Sequence, residues 1–307
     1  MTVLFGVVLP YAAAAIFLLG LLHRIWKWGK APVPFHIPTT SGQQKSLPWI
    51  KSSRVDNPHN TFGVVARMAL EVLLFRSLLR NMTFQLDQHT KRLIYSESLV
   101  LWLAAMVFHW SILIILIRHL RFFTEPVPFF VLWLQSLDGA FEIIVPTIFL
   151  TNILILLALG FLIARRLVNS KMRFISLPSD HIATLLILSV VLSGIFMRFV
   201  FKVDLVAVKE LALGVLSFSP STPAPGIGLA FYFHLFLVCA LVAYFPFSKM
   251  VHMAGVFLSP TRNQANNSRM RRHVNPWDYP VKVHTYEEWE DEFRPVMKAA
   301  EMPLEKE

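Results

Sequence analysis

Five apolar runs, at roughly residues 3–23, 97–117, 141–164, 181–201 and 227–248, dominate this 307-residue chain. Each can cross about 30 Å of hydrocarbon at about 1.5 Å per helical residue. Backbone in hydrocarbon must satisfy its own N–H and C=O groups, so runs of this length predict helices. Composition agrees, with 55% hydrophobic and only 16% charged residues, where a soluble domain carries closer to about a quarter. Disorder and a nucleic-acid-binding globule fit poorly, in spite of a net charge of +10. The single cysteine, Cys239, excludes an intramolecular disulfide and a four-cysteine zinc or iron–sulfur site held by this chain alone. The fold class expected is an all-α membrane protein with five transmembrane helices.

Charge sets the expected orientation. No Lys or Arg precedes the first run, whereas Arg24, Lys27 and Lys30 follow it. That is the reverse of a secretory signal and predicts a retained anchor with its N-terminus outside. Five spans then place segments 24–96, 165–180 and 249–307 inside, and these hold 24 of the 29 Lys and Arg residues. The outer side keeps Arg118, Arg121, Arg198, Lys202 and Lys209. Such a split follows the positive-inside rule and places the C-terminus in the cytoplasm. The high basicity then reflects an anionic inner leaflet of the cell (cytoplasmic, or inner) membrane, not nucleic acid.

The inner segment 24–96 begins with a proline-broken stretch from Pro32 to Pro58. Its second part, Thr61 to Asn81, is apolar but interrupted by Arg67, Glu71, Arg76 and Arg80. Four charges make a sixth span costly, so an amphipathic helix on the inner membrane face is expected. The outer loop 202–226 ends in Ser219-Pro-Ser-Thr-Pro-Ala-Pro-Gly226 and reads as irregular. This organisation divides the chain into a membrane domain, residues 1–258, and a polar cytoplasmic tail, residues 259–307.

Four of the eleven histidines fall in the membrane runs or at their ends: His109 and His119 with the second, His234 and His252 with the fifth. One such histidine could be a neutral interhelical hydrogen-bonder, but ionisable groups at this depth are expensive and mark candidate sites. Neutral imidazole ligates haem iron, and a haem buried between helices needs one histidine from each side. The two runs are antiparallel, so pairing by depth joins His119 with His234 near the outer face and His109 with His252 near the inner face. Two haems b placed so would form an electron path across the membrane. Ten residues rise about 15 Å and eighteen about 27 Å, so a tilt or a break at Pro246 must absorb the difference. Spacings of ten and eighteen do not resemble zinc sites.

The same residues carry a family resemblance. Phe108-His-Trp-Ser-Ile-Leu113, His119, Phe233-His234 and Phe245-Pro-Phe-Ser-Lys-Met-Val-His252 resemble the di-haem gamma subunit of respiratory nitrate reductase. The long 24–96 segment departs from that pattern. A longer resemblance runs through Pro32-Val-Pro-Phe, Gly42-Gln-Gln-Lys-Ser-Leu-Pro-Trp-Ile-Lys51, Val203-Asp-Leu-Val, Leu258-Ser-Pro-Thr-Arg-Asn263, Arg269-Met-Arg-Arg-His-Val-Asn-Pro-Trp277 and His284-Thr-Tyr-Glu-Glu288. These residues look like the DsrM family, the membrane cytochrome b of DsrMKJOP complexes of dissimilatory sulfite and sulfate metabolism. The resemblance implies two haems b, exchange with menaquinol and menaquinone, a cytoplasmic iron–sulfur partner like DsrK, and further subunits like DsrJ, DsrO and DsrP.

Under that reading, haem propionates need cations. Arg118 and Arg121 flank His119, and Arg198 interrupts an apolar run, so these three are the candidates. Snorkelling to the outer interface is the alternative for Arg118 and Arg121. A quinol site needs a proton acceptor, for which Glu142 and Asp138 are the candidates, with Glu125 second and Lys202 and Lys209 at its mouth. An interfacial carboxylate paired with arginine is the alternative. His181 lacks a partner histidine, and Cys239 reads as a small buried hydrophobe. Two other readings of the chain are a passive anchor for soluble redox subunits and a small proton-coupled transporter.

Overall fold

The structure is a computed structural model, which describes residues 2–31, 45, 49–80, 82–87, 89–139, 146–220, 223–224, 226–267 and 283–306. Its first span, Leu4–Gly29, opens with a π-helical turn and continues as α1 (Leu9–Gly29). The segment between the first two spans holds α2 (Thr61–Leu74), α3 (Arg76–Leu79) and a short antiparallel hairpin of β1 (Met82–Leu86) and β2 (Leu93–Glu97). The second span is α4 (Leu99–His119), extended to Phe122 by a tight turn. Then come α5 (Phe129–Asp138), α6 (Leu150–Val168), α7 (Ser170–Ile175), α8 (Pro178–Phe199), α9 (Leu205–Leu216) and α10 (Leu229–Tyr244). Short helices α11 (His252–Gly255) and α12 (Pro260–Asn263) follow, and α13 (Tyr286–Ala299) lies near the C-terminus.

Five helices are long and apolar enough to span a membrane, and the chain is a multi-pass membrane protein. Leu18, Leu19 and Leu22 on α1 and Leu103 and Leu116 on α4 are exposed, as lipid-facing side chains must be. The spans pack in an arc: α4 against α6, α6 against α8, α8 against α10, and α10 against α1. The helix carrying His109 and His119, α4, begins this chain of contacts, and α10, which carries His234, lies between α8 and α1. Small or polar residues line the inside, among them Ser111, Thr151, Ala158, Ser193 and Cys239, all buried. Gly20 lets α1 approach the Pro246 turn, where an added Cβ would sit 2.7 Å from the proline Cβ.

Three boundaries differ from the sequence expectation. The third span starts at Leu150, not 141, because Pro146 lies inside the apolar run and the helix forms after it. The amphipathic stretch is not one helix: α2 stops at Phe75, whose φ of 48° and ψ of 47° are left-handed. The outer loop contains α9, capped by Asp204, which accepts from the amides of Val206 at 2.9 Å and Ala207 at 3.2 Å. Ala207, Val208 and Leu211 of α9 pack with Ile227 and Tyr232 over one end of the arc.

The fifth span breaks where Pro246 stands. After Tyr244 the chain passes through tight turns at Phe245–Phe247 and Lys249–Val251 before α11 begins at His252. The start of the tail folds back on the inner segment: the Asn266 amide donates to the Pro58 carbonyl at 2.7 Å, and Arg262 pairs with Glu71 at 3.4 Å. Helix α13 closes its N-terminus reciprocally, with Thr285 Oγ1 accepting from the Glu288 amide and Glu288 accepting from the Thr285 amide.

Candidate functional site

The structure places His109 beside His252 and His119 near His234. His109 on α4 and His252 at the start of α11 face each other with ring centres 6.0 Å apart and planes 81° apart. His119 at the end of α4 lies within electrostatic range of His234 on α10. The break at Pro246 is what brings His252 level with His109, since eighteen residues of unbroken helix overshoot by about 12 Å.

Each imidazole is held through the same nitrogen. His109 Nδ1 bonds the Ala105 carbonyl at 2.8 Å, His119 Nδ1 the Ile115 carbonyl at 2.7 Å, and His252 Nδ1 the Lys249 carbonyl at 2.9 Å. A carbonyl only accepts, so these three carry their proton on Nδ1. His234 Nδ1 meets Ser193 Oγ at 2.8 Å. The serine hydroxyl gives its one proton to the Val190 carbonyl at 2.9 Å, so it accepts from His234. A neutral ring held this way keeps its lone pair on Nε2 with its orientation fixed from behind, which is how ligating histidines are prepared. Gly194 keeps the space beside His234 open, where an added Cβ would lie 3.3 Å from its Cε1.

This donor set suits a metal held by pairs. Two imidazoles sharing one metal, with bonds of about 2.0 Å and ring centres about 1.1 Å behind each nitrogen, stand about 6 Å apart. The His109–His252 spacing matches. Among the described residues no three His, Cys, Asp or Glu side chains form a metal-binding cluster. A porphyrin supplies four of its iron's ligands itself, so two imidazoles complete the set, as the sequence expectation requires.

The end carrying His119 is rich in cations. The Arg118 and Arg198 guanidinium carbons lie over the Phe149 ring at 3.3 and 4.2 Å from its centre. Arg198 donates twice to the Thr147 carbonyl, at 3.0 and 2.8 Å, and Arg121 donates to Gln135 at 2.8 Å. Arg118 pairs with the buried Asp138, yet its Nε is buried with no acceptor. Asp138 also accepts from the Thr151 amide at 2.8 Å and its hydroxyl at 2.7 Å. Of these three guanidiniums only Arg118 is paired with a described carboxylate, which leaves positive charge and an open donor for an anionic group.

Of the other candidates, Glu125 pairs with Lys209, and Glu142 lies outside the described residues. Cys239 is buried. Sequence reasoning missed Ser193 and Gly194. Their signal was a polar–glycine step inside an otherwise apolar span.

Helices α4, α10 and α11 carry one facing histidine pair and a second pair within electrostatic range, and the nitrate reductase gamma subunit family model matches residues 59–266. The chain belongs to that family. It is 45% identical over 282 residues to the Hdr-like menaquinol oxidoreductase cytochrome b-like subunit of Archaeoglobus fulgidus, covering 90% of this chain and 84% of that protein. The protein of the same description from Archaeoglobus profundus is 44% identical over 276 residues, covering 88% and 81%.

Proposed function

We propose that the chain is the membrane cytochrome b subunit of a menaquinone-linked respiratory complex and carries electrons across the membrane. His119 and His234 would hold one haem b near the outer face, and His109 and His252 a second near the inner face. The observation that carries this reading is that four imidazoles are each held through Nδ1, with His109 facing His252 at 6.0 Å and His119 within electrostatic range of His234. Haem in this ligand set supplies one-electron redox chemistry. Arg118, Arg121 and Arg198 neutralise propionates at the outer site, and the open Arg118 Nε is the donor best placed to do so.

The charge bias supports an N-terminus outside and a C-terminus in the cytoplasm. The relatives' names support menaquinol or menaquinone as the small substrate. Menaquinol oxidation releases two electrons and two protons. A cleft of about 390 Å³ between α4, α5 and α6 is apolar along Met106, Trp110 and Leu154 and ends at Ser111, Asp138 and Thr151, which suits a quinone ring with one polar edge. Asp138 has both oxygens engaged and anchors Arg118, so Glu142 is the proton acceptor we favour. The resemblance to the DsrM family supports a cytoplasmic iron–sulfur partner like DsrK, with DsrJ-, DsrO- and DsrP-like subunits, in sulfite and sulfate metabolism.

The test is to purify the chain, record oxidised and dithionite-reduced spectra, and count haem b by pyridine haemochrome. Two haems per chain are expected, and one in each single His→Leu variant. A haem-free chain from haem-replete cells overturns the reading.

A further inference from the structure

We propose that Phe75 is a positioning residue for His109, placed by a built-in break between α2 and α3 so that its ring fixes the plane of that imidazole. This rests on the haem reading above. Phe75 sits in the left-handed region at φ 48°, a conformation that L side chains disfavour. In a continuous helix the Leu73 and Leu74 carbonyls would accept from the amides of residues 77 and 78. Here the Ser77 amide turns to Glu71 Oε2 at 2.9 Å, and the Leu78 amide to the Phe75 carbonyl at 2.9 Å.

The two released carbonyls have a use. Trp102 Nε1 donates to the Leu74 carbonyl at 2.7 Å, and Trp110 Nε1 to the Leu73 carbonyl at 3.3 Å. Both indoles stand on α4, the helix that carries His109, so the break is strapped to the ligand's own helix. On the far side Asp56 binds Arg76 at 2.9 Å and also pairs with Arg80, bracing α3. The corner delivers the Phe75 ring to 4.8 Å from the His109 ring centre at 70°, while Phe108 lies at 5.0 Å and 90°. The Ala105 hydrogen bond fixes one ring nitrogen, and the two flanking phenyl rings stop the imidazole from rotating. The angle of 81° between His109 and His252 is the quantity they hold.

That angle has a direct readout. In a low-spin ferric haem the largest EPR g value reports the angle between the two axial imidazole planes. The experiment compares purified wild type with Phe75→Gly, which keeps the left-handed backbone and removes the ring. Phe75→Asn, a residue also at home in that region, is the second variant without a phenyl ring. The His109→Leu protein identifies which of the two signals belongs to the inner site. We expect both Phe75 variants to keep two haems while the inner signal moves toward lower g and the outer one stays. Phe75→Tyr should restore the wild-type position, and the Trp102→Phe, Trp110→Phe double variant should shift it the same way as Phe75→Gly. Two haems with an unmoved inner signal, or equal shifts in both signals, overturn the role of Phe75. A wild type without haem removes the haem reading itself, a distinct outcome.

Discussion

Ser193→Ala tests the outer pair at a single hydrogen bond. Of the four histidines, His234 alone has a side-chain hydroxyl bonded to Nδ1, at 2.8 Å. Removing a partner that orients a ligating histidine typically costs about 10–100-fold in metal affinity. That range is about 1.4–2.8 kcal/mol, which overlaps the ~1–3 kcal/mol for leaving a buried donor unsatisfied. The Val190 carbonyl also lies within reach of His234 and takes up part of the lost bond, which places the expectation at the lower end, about tenfold. Haem transfer to an excess of apo-globin, followed by absorbance, should then show two phases in wild type. In Ser193→Ala one phase quickens about tenfold and the other is unchanged, while Ser193→Thr keeps the hydroxyl and behaves as wild type. Equal acceleration of both phases, or of neither, refutes the assignment of Ser193 as the support behind one ligand.

Asp138→Asn removes the partner of the buried Arg118 and should destabilise the fold by about 3 kcal/mol, read as a lower melting temperature in detergent. Arg118→Leu combined with it should recover part of that loss. Gly20→Val drives a side chain into Pro246 and should cost about 1–3 kcal/mol, seen as faster proteolysis between α1 and the remaining spans. Burial pushes the Asp56 carboxyl up, but hydrogen bonds from Arg76 and Arg80 outweigh it and hold the group below the usual carboxylate range. Its contribution is therefore present above the unfolded value of about 3.9 and lost as pH falls through the lower folded value. Amide exchange in α3 should quicken over that acid window in wild type, and Asp56→Asn should show the faster exchange already at neutral pH.

The spans were legible because they depend on a one-dimensional property, the length of an apolar run, and the proximity of His109 to His252 could be read from the depth of each residue along its run. Comparing a rise of ten residues with one of eighteen called for either a tilt or a break at Pro246, and the structure has the break. What stayed hidden depends on tertiary partners. Phe75 is an ordinary apolar residue within an amphipathic pattern, and only the indoles of Trp102 and Trp110 make its left-handed turn worthwhile. Helix α9 was masked by the proline-rich end of its loop, although Asp204 and the apolar spacing of Val208, Leu211 and Val215 were in view. Pro146 was visible too, yet an apolar run long enough to span outweighed it.

The arc closes late. Each half of a histidine pair waits for a partner 115 residues away for His119 and 143 for His109, and α10 is the last span to leave the ribosome. Four inserted helices therefore own two imidazoles and no complete site, so biogenesis of this protein is a race between final helix insertion and whatever must be captured at the seam. Truncation between Phe199 and Leu229 yields a chain that keeps His109 and His119 and lacks His234 and His252, a form that quality-control proteases can tell from the finished one.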